Sequence, residues 1–207
     1  TVPMLEPQRE QHSVDTGADG SVERFTANTL YRPRTGDRVG LYSLKQLLAD
    51  RTPIPDPIVE GLIPGEAAVL FSGPGGSAKS YAMLDLAVSV AAGIPWLGIP
   101  VTQAPVLVID LENRLVYQRL RVRQVLKGHR IEDPPPARIA FDLALSLDDD
   151  NVVDEIASLA QGWHPRLVIL DSLVDLLGDT DENSNRDMGV VVKHLRLIPR
   201  ATGASVI

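Results

Sequence analysis

A chain of 207 residues with 44% hydrophobic content and a formal net charge of −7 suits one domain plus some extra sequence, and is too apolar for a disordered polymer. The acidic balance excludes a globally attractive field for nucleic acid but leaves room for a local basic strip. No run of about 18 apolar residues predicts a membrane span, the opening TVPMLEPQREQHSVD lacks the layout of a secretion signal, and the absence of cysteine removes disulfides and zinc–thiolate sites; together these fit a cytoplasmic protein.

Residues 1–40 are polar and broken by proline and glycine, and read as a tail or linker. Residues 41–57 read as a docking helix, with Leu41, Leu44, Leu47 and Leu48 at helical spacing, and a proline-rich approach. The proline-rich stretch RTPIPDPIVEGLIPGE is expected to run extended over a surface. The core is expected over residues 58–207. AAVLFS (67–72) is a short apolar strand before glycines, and SYAMLDLAVSVAAG is a helix stopping at Gly93. APVLVIDLE predicts a buried strand, NRLVYQRLRVRQVLKG a helix ending near Gly128, and ARIAF a strand. NVVDEIASLAQG predicts a helix capped by Asp150 or Asn151. RLVILDSLVDLL opens with a strand, DMGVVVKHLRLIPRATG is largely helical, and ASVI begins another strand. Continuous apolar strands alternating with helices predict an α/β fold with a mainly parallel sheet covered on both faces. The last strand lacks a closing element, so the core is expected to be incomplete at its C-terminus.

The segment GPGGSAKS fits the phosphate-loop pattern G-x-x-x-x-G-K-[ST] at Gly73, Lys79 and Ser80, with Ala78 where glycine is usual. Backbone amides in such a turn surround phosphate oxygens, and the following helix N-terminus adds partial positive charge. Gly73, Gly75 and Gly76 allow tight turns and close approach. The residues expected to line ATP are Gly73, Pro74, Gly75, Gly76, Ser77, Ala78, Lys79, Ser80 and Tyr81. Lys79 neutralises the β- and γ-phosphates and so serves catalysis as well as binding; Ser80 offers a hydroxyl to Mg²⁺. Ala78 keeps the amide that binds. Its methyl costs on the order of 1 kcal/mol if φ is positive there, and only local crowding if φ is negative.

Two strands end in acidic residues. Asp171 closes RLVILD, where ligands sit in a doubly wound sheet, and can hold Mg²⁺ through a water opposite Ser80. Asp110 and Glu112 end VLVIDLE. Glu112, just past the strand, is the first choice to deprotonate an attacking water, and Asp110 the second. Arg119, Arg123 and Lys127 form a basic stripe on the helix after Glu112, beside Leu115, Val122 and Leu126; it reads as a solvated face or a contact for a neighbouring subunit or nucleic acid. His129, His164 and His194 have no metal-ligand spacing.

GLIPGEAAVLFSGPGGSAKSYAMLDLAVSVAAG, VLVIDLENR, RLVILDSLVDLLGDTDENSNRDM and ATGASVI together resemble RecA-like P-loop ATPases, in particular the RepA-type hexameric replicative helicases of plasmids and phages. The resemblance covers residues 58–207 and includes Glu182, Asn183 and Met188 in an ENxxxxM-like loop. It implies a RecA-type sheet, ATP and Mg²⁺ as ligands, nucleotide sites between subunits of a homo-oligomeric ring, and movement along single-stranded DNA. Lys79, Ser80, Glu112 and Asp171 fall on the family's functional positions; the family's polar sensor, arginine finger and DNA loops belong to the segment that follows Ile207 and are not assigned. Two other readings stand beside the motor: a regulatory ATPase that assembles with a protein partner, and a nucleotide-binding scaffold that does not hydrolyse.

Overall fold

The computed structural model describes residues 43–141, 143–177 and 185–207, and of residues 185–187 the backbone alone. The tail read over residues 1–40 lies outside the described residues, as do Leu41, Glu182 and Asn183. Contacts divide the chain into two units, Thr1–Pro53 and Ile54–Ile207. In the first, α1 (Leu44–Ala49) starts at a capping box: the Ser43 side chain accepts from the Gln46 amide, and the Gln46 side chain accepts from the Ser43 amide. Leu44, Leu47 and Leu48 are exposed.

The second unit runs α2 (Lys79–Ala92), β1 (Val106–Asp110), α3 (Leu115–His129), β2 (Ala137–Ala140), α4 (Val152–Ala160), β3 (Leu167–Asp171), α5 (Asn185–Thr202) and β4 (Ser205–Val206). The strands form one parallel sheet in the order β2-β1-β3-β4. The chain leading to the glycine-rich loop lies beyond β4. The Val69 amide donates to Val206 O and the Val206 amide to Ala67 O, both at 2.8 Å. The Ser205 hydroxyl adds a bond to Pro64 O.

The two-residue period of the strands sorts the core into layers. Val106, Val108, Leu167 and Ile169 pack with Met83, Leu86, Ala87 and Val90 of α2. Leu107, Ile109, Val168 and Leu170 pack on the other face with Val152 and Ile156 of α4 and Val191 and Ile198 of α5. A one-residue slip of β1 or β3 would exchange the two sets. Each such side chain is worth about 1.5–3 kcal/mol when buried, so register is firmly set. α2 is apolar on two sides because Leu84 and Val88 pack against Val125 of α3; this gives the α/β fold covered on both faces that the apolar strand runs imply.

Several local expectations need correction. AAVLFS is not a regular strand: it makes one bridge, Ala68 to Val206, while Leu70 and Phe71 stay exposed. It lies on the outer side of β4 and turns away into the loop. The proline-rich approach does not remain a surface strap, since Ile58, Val59 and Ile63 are buried in the α2 layer. α3 passes through Gly128 and ends at Arg130 in the left-handed region. Leu115 of its expected apolar face is exposed, whereas Gln118 is buried. Asn151 is the N-cap of α4 but makes no side-chain cap; its amide nitrogen donates to Asp149 instead.

Candidate functional site

The glycine-rich loop delivers the chain to α2 through a left-handed residue. Ala78 is the N-cap of α2 with φ 63 and ψ 26, so the positive-φ case applies. Gly76 is also left-handed, at φ 75. At Gly73 a Cβ would sit 3.2 Å from Ser77 Oγ, so the turn is closed tightly around that position. The first helical bond of α2 is the Ala82 amide to Ala78 O. The amides of Gly75, Gly76, Ala78, Lys79, Ser80 and Tyr81 donate to no protein oxygen among the described residues. Open amides around a left-handed turn at a helix N-terminus form a concave anion cradle. Lys79 Nζ lies in that cradle and donates to Gly73 O at 2.8 Å and Pro74 O at 3.0 Å.

The Ala78 methyl group is a correctable cost. Alanine in the left-handed region loses about 1–2 kcal/mol, partly offset by glycine's greater unfolded-state entropy. Ala78→Gly is therefore expected to raise the melting temperature by about 2 °C, measured by calorimetry on the nucleotide-free protein. A lowered melting temperature would mean that the loop does not hold φ positive in solution.

Strand alternation puts the acidic residues beside this cradle. Leu107, Ile109, Val168 and Leu170 face α4 and α5, so Asp110 and Asp171, paired in register, fall on the α2 side of the sheet. Both are buried, Asp110 to 1% exposure and Asp171 to 9%. The Ser80 hydroxyl stands beside the Asp171 carboxyl and favours its ionised form. Burial pushes the Asp171 carboxyl above its ordinary range; the Ser80 hydroxyl opposes this, Asp110 and Glu112 add to it, and Arg121 opposes it. Asp110 is already engaged: its Oδ1 accepts from the Asn113 amide at 2.9 Å and from Asn113 Nδ2 at 3.1 Å. Glu112 is exposed and makes no hydrogen bond or contact ion pair among the described residues.

Ser80 and Asp171 offer adjacent hard oxygen donors, which fit Mg²⁺. Among the described residues no three His, Cys, Asp or Glu side chains gather into a metal site. Mg²⁺ held by one or two protein oxygens, substrate phosphates and waters needs no such cluster. An open groove of about 550 Å³ runs along Met188, Val192, Lys193 and Arg196 of α5, away from the loop. The open amides, not surface concavity, mark the loop as the candidate site, because a cradle of backbone amides is shallow.

Tyr81 turns its side chain to α3: its hydroxyl donates to Gln124 Oε1 at 2.7 Å, and the Arg121 guanidinium lies 5.3 Å from its ring centroid. Only the Tyr81 backbone serves the cradle. Arg119, Arg123 and Lys127 are exposed on the outer face of α3. Sequence reasoning missed Asn113 and Arg121. The inward spacing Gln118, Arg121, Val122, Val125 was the signal for Arg121, hidden between two solvated arginines. No described helix is long and apolar enough to cross a membrane.

A family profile described as an AAA domain matches residues 37–207. A comparison with curated proteins finds no match.

Proposed function

Because the chain belongs to the AAA-domain family of nucleotide-binding P-loop ATPases, we propose that it binds ATP at the Gly73–Tyr81 loop and hydrolyses it in a homo-oligomeric motor acting on single-stranded DNA. The observation that carries the ATPase reading is the ring of open loop amides around Lys79, with the buried Asp171 at the end of β3 and an unengaged Glu112. The finer reading, a ring motor of the RecA-like RepA type, is supported by the motif resemblance over residues 58–207.

The loop amides bind the phosphate oxygens, and Lys79 exchanges the carbonyls of Gly73 and Pro74 for the β- and γ-phosphates. Ser80 and Asp171 would hold Mg²⁺, Asp171 through a water. When bound, Mg²⁺ neutralises phosphate charge and stabilises the charge that develops on the leaving group. Glu112 orients the attacking water and takes its proton. Asp110 braces the loop that carries Glu112, through Asn113. Ala78 keeps its amide, so the loop remains a working cradle.

Phosphate release from ATP, with and without Mg²⁺ and single-stranded DNA, tests the proposal alongside light scattering. Mg²⁺-dependent hydrolysis stimulated by single-stranded DNA in an oligomer is the expected result. Hydrolysis indifferent to DNA removes the motor and leaves the ATPase; no Mg²⁺-dependent nucleotide binding removes both.

A further inference from the structure

α3 carries a charge pattern that works against the helix itself. Arg114 is its N-cap, with no side-chain cap and no acidic residue in the first turn, so a positive charge stands at the positive end of the helix dipole. Arg119, Arg123 and Lys127 follow at four-residue spacing, where like charges repel. No acidic residue occurs from 114 to 131 to relieve them. These four and Arg130 are exposed and make no ion pair among the described residues. Val116, Tyr117 and Leu120 are exposed on the same helix. Val116, Leu120, Arg123 and Lys127 succeed one another at steps of three and four residues, so they line one side of it. Solvation alone gives no use to those apolar side chains, and a phosphate backbone gives none either.

The chain holds the complement of this face. Between 143 and 162 it has five acidic residues, Asp148, Asp149, Asp150, Asp154 and Glu155, and no basic one. All five are exposed, as is Leu159, one turn beyond Glu155. Asp154 and Glu155 suit the first turn of α4, and Asp149 accepts from Asn151, but these local roles do not explain a run of five like charges. The two patches lie on opposite faces of the sheet. Leu147, Val152 and Ile156 anchor the acidic segment to the α4 side, whereas α3 packs through Val125 against Leu84 and Val88 of α2 on the other. One copy therefore cannot bring its own patches together, and a contact that pairs them is head-to-tail.

We propose that the outer face of α3 is a docking surface for the acidic 148–155 segment of a second copy of this chain. This rests on the homo-oligomeric part of the proposed function and gives it a surface. Copies with a net charge of −7 repel one another on average, so association needs local complementarity, and segregated patches of opposite sign also orient the encounter. The apolar side chains beside each patch exclude water from the contact. The groove along Lys193 and Arg196 is not the counterpart, because α5 covers the same face of the sheet as the acidic segment.

The test measures self-association of the whole chain by sedimentation velocity with ATP and Mg²⁺ present, each variant being checked first by thermal unfolding. Arg119→Glu, Arg123→Glu and Lys127→Glu together, and separately Asp154→Lys with Glu155→Lys, are each expected to weaken association by roughly tenfold or more, because like charges then face each other. Mixed in equal amounts, the two variants should associate again, since each supplies the sign that the other has lost; a misfolded variant is not rescued in this way. Should the triple reversal fail to fold, Arg123→Gln with Lys127→Gln should give a smaller loss of the same sign. An ionic strength of about 1 M, where the Debye length is about 3 Å, should dissociate wild type, and Lys193→Glu with Arg196→Glu should assemble as wild type does. A wild-type oligomer that both reversals leave intact, or losses that mixing does not recover, overturns the docking surface alone. Binding of single-stranded DNA that falls in the α3 variant while self-association stands gives the stripe to nucleic acid and also overturns it. A monomeric wild type overturns it together with the homo-oligomeric reading, while phosphate release judges the ATPase separately.

Discussion

Replacing Lys79 by alanine is expected to weaken ATP binding by roughly a hundredfold or more. Each hydrogen bond from a charged donor contributes about 1.5–3 kcal/mol, and on the proposed reading Lys79 makes two, to the β- and γ-phosphates. A loss of about 3 kcal/mol corresponds to roughly a hundredfold in affinity. The fold should hardly change. Residues 71–78 are exposed, and the carbonyls of Gly73 and Pro74 that Nζ releases turn to water. Titration with a fluorescent ATP analogue, alongside thermal unfolding, separates the two outcomes. Unchanged affinity would sink the assignment of the loop; lost affinity with a collapsed melting temperature would show that the ammonium is a structural clasp.

Glu112→Gln is expected to retain ATP binding within about threefold and to lower kcat by roughly 10²–10⁴-fold, the range of a general base. Glutamine keeps the shape and a hydrogen-bonding oxygen but does not accept the proton of the attacking water. The substitution also removes a negative charge that acts on Asp171, which by Coulomb's law weakens rather than strengthens the hold on Mg²⁺, so turnover is compared at saturating Mg²⁺. A fall in kcat that persists at saturating Mg²⁺ reports the base and not a weakened metal site. Asp110→Asn is the control. Its oxygens brace Asn113, so it should affect loop stability more than proton transfer. Single-turnover phosphate release decides: wild-type turnover in Glu112→Gln, with loss in Asp110→Asn, moves the role to Asp110.

The layered sheet was legible because burial imposes a signature on composition. VLVID and LVILD are apolar throughout since helices cover both faces, and α2 stops at Gly93 because a left-handed residue ends it there. The placement of Asp171 beside Ser80 followed from where strands end in such a sheet. What remained hidden depends on tertiary placement. Whether Ala78 is left-handed is set by how the loop is tied to β4 and α2, and a residue type does not declare its φ. The stripe Arg119, Arg123, Lys127 was visible as a pattern, but Arg121 between its members turns inward only because α3 lies against α2. Likewise, the sequence ranked Glu112 before Asp110 only on its position just past the strand. What separates them in the fold is the turn from Asp110 to Asn113, a local hydrogen bond with no periodicity to reveal it.

The strand order has a consequence for how the chain becomes competent. The segment entering the phosphate loop is laddered to β4 through Ala67, Val69 and Val206, so the two sides of the cradle's base come from segments far apart in the chain. β4 must also insert beside β3, closing the gap between Asp171 and the loop. Such a pairing of distant segments forms late, because the entropy of closing a long loop is lost before any contact compensates it. During synthesis from the N-terminus, Lys79 and Ser80 emerge early, but their scaffold waits for residues near 206. A nascent chain shorter than this carries the motif without a rigid site, and a ligand of the loop can reward only a chain that has paired β4.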